Sequence, residues 1–120
     1  MKRIFLFTAI LSLIQLSFSA FGQDTLLFDT LAKPQLISRQ FGFTEGASVD
    51  KKGNVFFTDQ PNNKIWEYST DGKLSVFLDS AGRSNGMYFD KKGNLVTCAD
   101  EKDQLWSIGP DKKIKVLLSE

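Results

Sequence analysis

The chain has 120 residues, with 15 Lys and Arg against 14 Asp and Glu, no histidine and one cysteine. Near-neutral charge gives no long-range pull toward nucleic acid or an anionic membrane surface. The missing histidine excludes Ser-His-Asp and Cys-His nucleophile arrangements and His-rich zinc sites within the chain, and a lone cysteine excludes an internal disulfide.

Lys2 and Arg3 precede an apolar stretch from Ile4 to about Leu16, too short for a membrane span. Small residues follow, with Ala20 and Gly22 at cleavage spacing. Residues 1–22 are therefore expected to be a signal peptide and Gln23 the new N-terminus. The product is expected to be periplasmic or secreted, with no membrane span in its mature form. The removed segment holds two basic and no acidic residues, so the mature part carries 13 basic against 14 acidic, a net charge of −1. Residues 23–40 read as a leader, with Leu36–Gln40 as a possible closing strand.

From there the chain repeats itself. Residues 49–78 align without a gap on residues 89–118, with ten identities in thirty positions. Asp50-Lys51-Lys52-Gly53-Asn54 falls on Asp90-Lys91-Lys92-Gly93-Asn94, and Trp66 falls on Trp106. Within each repeat, short β-rich runs alternate with turn chemistry: Gly46–Val49, Val55–Asp59, Lys64–Ser69 and Leu74–Leu78, then Leu95–Ala99, Leu105–Ile108 and Ile114–Leu118. Asp71-Gly72 is a hairpin signal, and Gly53 suits a turn position with positive φ. No sustained 3.6-residue apolar period is present, so helices are not expected. Four strands in about 40 residues is the spacing of a β-propeller blade. The fold expected is thus all-β, a partial β-propeller with two blades at about 41–80 and 81–120.

The matched Trp66 and Trp106 read as packing residues between blades. Cys98, inside the apolar run Leu95–Ala99, reads as a small buried hydrophobe. The last strand is apolar almost to Glu120, and propellers need ~4–8 blades. The chain is therefore expected to be the N-terminal fragment of a longer propeller, a two-blade ring-forming unit being the other possibility.

The same 40-residue shift pairs Thr44-Glu45-Gly46 with Ser84-Asn85-Gly86. In a propeller the first strand of every blade lines the central channel, so Glu45 and Asn85 should converge from neighbouring blades. A carboxylate and an amide oxygen suit a hard divalent cation such as Ca2+, although Ca2+ takes ~6–8 oxygen ligands. The plain alternative is a solvated turn residue at Glu45 and an ordinary turn at Asn85-Gly86.

Several segments resemble the gluconolactonase and regucalcin-like lactonases. They are Phe43-Thr44-Glu45-Gly46, Val55-Phe56-Phe57-Thr58-Asp59 with Pro61-Asn62-Asn63-Lys64-Ile65, Ser84-Asn85-Gly86-Met87, and Phe89 through Leu95. That resemblance implies a six-bladed propeller with one divalent cation, most often Ca2+, in its channel and a small-molecule sugar lactone as substrate. It implies a metal-binding role for Glu45 and substrate-binding roles for Arg83 and Asn85. The cation would polarise the lactone carbonyl and activate a water. The remaining ligands, an asparagine and an aspartate from later blades, would lie beyond Glu120, so this chain is expected to be incomplete as a catalyst. The competing reading is a non-catalytic extracytoplasmic propeller that binds protein or carbohydrate. No protein partner is indicated.

Overall fold

The computed structural model describes residues 29–120. The signal peptide and its cleavage point lie outside the described residues. Residues 29–35 form a unit apart from Leu36–Glu120. In that unit a turn is closed by Ala32 N–H donating to the Asp29 carbonyl at 3.0 Å.

Leu36–Glu120 contains eight strands in two four-stranded antiparallel sheets. The first sheet is β1 (Thr44–Val49), β2 (Val55–Asp59), β3 (Lys64–Tyr68) and β4 (Leu74–Asp79); the second is β5 (Met87–Phe89), β6 (Leu95–Ala99), β7 (Gln104–Ile108) and β8 (Ile114–Ser119). In both, spatial order follows chain order, as short hairpin connections dictate. Even the irregularities repeat. A bulge interrupts pairing between Ile65 and Trp66, and another between Leu105 and Trp106. Each leaves one extra residue on the outer strand, Phe77 or Leu117.

The repeated Asp-Lys-Lys-Gly-Asn segment explains itself chemically. Asp50 Oδ1 accepts from the N–H groups of Lys52 and Asn54, and Oδ2 accepts from Asn54 Nδ2, at 2.8–2.9 Å. Asp90 makes the same three bonds with Lys92 and Asn94. Gly53 and Gly93 close the turns at φ 89° and 86°, where a side chain would be strained. For Asp50, desolvation pushes the carboxyl up but is outweighed by the bonds from Asn54, Lys52 and Gly53, so its pKa falls below the usual 3.8. Asp90 is lowered chiefly by the Asn94 side chain and backbone. A carboxyl lowered on folding adds stability above its unfolded value and loses it as pH falls through the folded one. Stability should therefore drop below about pH 4. Urea midpoints measured across that range should decline less steeply in Asp90→Asn than in the parent; equal slopes would remove Asp90 from the account.

The core lies between the sheets. Strand alternation gives the first sheet a leading face, with Phe56, Thr58 and Ile65, that packs on the trailing face of the second, with Leu95, Thr97, Trp106 and Ile108. Phe56 meets Phe77 and Phe89 edge-on, with centroids 5.0 and 4.9 Å apart. Ile65, Leu95 and Ile108 are fully buried, each worth about 1.5–3 kcal/mol relative to exposure. Trp106 is buried in the same core and, as expected, packs between the sheets, against Gly82 and Ala99. Trp66 lies on the trailing face of the first sheet, where Phe41 covers it edge-on at 5.4 Å.

Three expectations are corrected. Cys98 is exposed, not buried. In β6 the inward residues are Leu95, Thr97 and Ala99, which puts Val96 and Cys98 on the opposite, uncovered face. A 3₁₀ turn, Asp100–Lys102, stands where no helical residue was expected; Asp103 in the left-handed region at φ 50° ends it. Leu36–Gln40 has no ladder partner among the described residues, and this stretch leads instead into Phe41, which packs on Phe57 and Trp66.

Candidate metal and substrate site

Antiparallel hairpins carry alternate turns to opposite ends of each sheet. One end collects the start of β1, the Gln60–Asn63 turn, the Ser80–Gly86 connection and the 3₁₀ turn. All three residues singled out from sequence fall there. Glu45 is half-buried and opposes Thr58 in the β1–β2 register, and its carbonyl accepts from Thr58 Oγ1 at 3.1 Å. Asn85 is also half-buried. Its N–H donates to the Cys98 carbonyl at 3.2 Å, and Cys98 N–H donates to the Gly86 carbonyl at 3.1 Å. Glu45 against Thr58 and Asn85 against Cys98 are thus the same ladder position in successive sheets.

The two positions are also spatial neighbours. Among the strands of different sheets, β1 and β5 pack against each other. A Cβ placed on Gly46 would sit 1.8 Å from the Asn85 carbonyl oxygen, so the backbone next to Glu45 touches the backbone of Asn85. Asn85 Oδ1 accepts from Gly86 N–H at 2.6 Å, a bond within its own turn that leaves the oxygen one lone pair.

Arg83 is exposed and holds a left-handed conformation at φ 51°. Its N–H donates to Asn63 Oδ1 at 2.7 Å, and its guanidinium Nη2 donates to Gln60 Oε1 at 3.3 Å. The guanidinium therefore leans toward the first sheet's turn and keeps donors to spare. Asn63 and Gln60 were not singled out from sequence, nor was Asp59 as a positioning group. Asp59 is buried and accepts from Gly42 N–H at 3.0 Å, Phe43 N–H at 3.3 Å and Asn62 Nδ2 at 2.7 Å. It fixes the two residues that lead into Thr44 and Glu45.

The donor set is right in kind for a hard cation: one carboxylate, one amide oxygen and nearby carbonyls. It is short in number. Among the described residues no three Asp, Glu, Cys or His side chains come together to hold a metal. Glu45 and Asn85 can supply one side of such a site.

Two four-stranded antiparallel sheets, stacked face to face and meeting at their first strands, are successive blades of a β-propeller. In particular, the fold is gluconolactonase-like. A gluconolactonase from Xanthomonas campestris matches with a TM-score of 0.65 and 20% identity, over 68% of this chain and 28% of that one. A structural-genomics protein assigned as a gluconolactonase matches at 0.67 and 27%, over 74% of this chain and 31% of that one. The virginiamycin B lyase of Staphylococcus aureus, at 0.52 and 19% identity, shares the fold over 58% of this chain. The chain thus spans about three-tenths of the gluconolactonase structures it matches. No protein-family model and no curated protein matches the sequence.

Proposed function

We propose that these two blades are the N-terminal part of an exported, metal-dependent sugar lactonase, and that Glu45, Asn85 and Arg83 form one side of its channel site. The observation that supports this reading most is the placement of Glu45 and Asn85 at one ladder position on adjacent innermost strands, in a gluconolactonase-like fold. Glu45 would hold a divalent cation, Ca2+ by ligand type, with Asn85 Oδ1 available as a second oxygen. When bound, the cation would polarise the lactone carbonyl and acidify a water. Arg83, exposed and only singly engaged through its side chain, would orient substrate oxygens and donate to charge that develops on them.

The test is hydrolysis of a sugar lactone by the protein that carries these blades, with and without chelator. Turnover is expected to need the metal and to fall roughly a hundredfold or more in Glu45→Gln. Arg83→Ala should raise KM more than it lowers kcat. Turnover indifferent to chelator and to Glu45→Gln would end the metal-site reading. No turnover at all, with metal bound, would favour the binding module.

A further inference from the structure

Equivalent positions of the repeat differ sharply in exposure. On the leading face of the first sheet, Phe56 is 4% exposed, while Thr58 and Ile65 are fully buried. Their counterparts on the leading face of the second sheet are Val96, half-buried, Cys98, exposed, and Leu105, half-buried. Phe77 and Leu78 on β4 are half-buried against the core, while Leu117 and Leu118 on β8 are 46% and 59% exposed. Tyr88, beside Val96, is exposed as well. The second sheet thus carries an apolar face of the kind that the first sheet buries.

The trailing face of the first sheet is the complementary half. Val55, Phe57, Trp66 and Tyr68 occupy the positions that Leu95, Thr97, Trp106 and Ile108 fill in the second sheet, where all four are buried. Here they are only half-buried. Phe41 covers part of this face, and beside it a groove of about 430 Å³ stays open, lined by Phe57, Val55, Tyr68, Leu74 and Ile37 among others. The Nε1 of Trp66 is buried with no hydrogen-bond partner among the described residues, whereas Trp106 Nε1 donates to Gln104 Oε1 at 2.6 Å. At the position of Gln104 the first sheet has Lys64, which donates to Asp79 and offers no acceptor.

We infer that the leading face of the second sheet docks on the trailing face of the first sheet in another copy of this chain. The junction already inside the chain supplies the template: a leading face of Phe56, Ile65, Phe77 and Leu78 on a trailing face of Leu95, Trp106 and Ile108. Between copies, Val96, Leu105, Leu117 and Leu118 take the first role and Val55, Phe57, Trp66 and Tyr68 the second. Such a contact is head-to-tail, so it builds a ring if its rotation closes and an open array if it does not.

Sedimentation velocity over a wide concentration range tests this, using two exposed positions. Leu118→Glu disables the leading face, and Val49→Lys disables the trailing face, since Val49 matches Phe89 at the internal junction. The parent chain should self-associate, and each variant should raise the dissociation constant about tenfold or more. Mixing the two variants should restore a dimer, because each keeps the face that the other lacks. Circular dichroism melts confirm that both variants fold, and Leu31→Glu, outside both sheets, should associate like the parent. A monomeric parent overturns the proposal, as it would if a further blade of the same polypeptide covered the face. So does association that both variants leave unchanged, or a variant pair that stays monomeric when mixed.

Discussion

Alanine at Gly46 is expected to cost the first blade junction about 2–5 kcal/mol, from a left-handed backbone that disfavours a Cβ and from direct overlap with a neighbouring strand. Gly46 has φ 63°, and its Cβ would lie 1.8 Å from the Asn85 carbonyl oxygen and 3.0 Å from the carbonyl carbon. Both are backbone atoms, so no side chain can rotate away. The Asn85–Gly86 segment is also tied into the second sheet by its two bonds with Cys98. Relief would have to come from moving one whole sheet against the other. For a folding unit of this size, 1 kcal/mol shifts Tm by ~4–8 °C, so a fall of well over 10 °C is expected. Gly86→Ala is the control. Gly86 occupies the matching position in the second sheet, and nothing lies within 4 Å of its added Cβ, so its effect should be small. Equal Tm losses for the two alanines would mean that the β1–β5 approach does not set the stability of this junction.

The asymmetry between these two glycines shows how far the sequence could be read. Gly46 and Gly86 align perfectly, yet one is pressed against a following blade and the other faces open space. The repeat reveals that the positions are equivalent. It does not reveal which copy is covered. The same limit explains Cys98: the apolar run Leu95–Ala99 reads as wholly buried, whereas only alternate residues are, because this sheet has one neighbour among the described residues. Strand positions and turns were legible because each depends on local chemistry, as in the Asp50 and Asp90 carboxylates that organise their own hairpins. The convergence of Glu45 and Asn85 was legible through the 40-residue shift alone. Asp59 was not legible as a positioning group, since its partners Gly42 and Phe43 are 16 and 17 residues away, and its counterpart in the repeat is Ala99. The second sheet meets the same need differently: Arg83, which matches Phe43, has its N–H held by Asn63.

That substitution within the repeat makes Asp59→Ala the other decisive variant. The strand itself should tolerate alanine, since Ala99 sits at the same place in β6. What is lost is the acceptor for Gly42 N–H, Phe43 N–H and Asn62 Nδ2. Hydrogen bonds to charged groups are worth about 1.5–3 kcal/mol each, and their donors become costly once left unpaired in a buried place. Because solvent can reach the outer part of this segment, a net loss of about 3 kcal/mol is expected rather than the full sum. Asp59→Asn should cost less: its Oδ1 can still accept from both N–H groups, and the Asn62 amide can turn its oxygen toward the new NH₂ group. The release of Gly42 and Phe43 should also free Phe41 from Phe57 and Trp66, so Trp66 fluorescence should change in Asp59→Ala and stay near parental in Asp59→Asn. If Asp59→Ala unfolds at the parental urea midpoint, the segment before Glu45 is held by its aromatic contacts alone. If the midpoint falls while the indole signal is unmoved, the carboxylate braces only the Asn62 turn, and Glu45 owes its placement to the β1–β2 ladder.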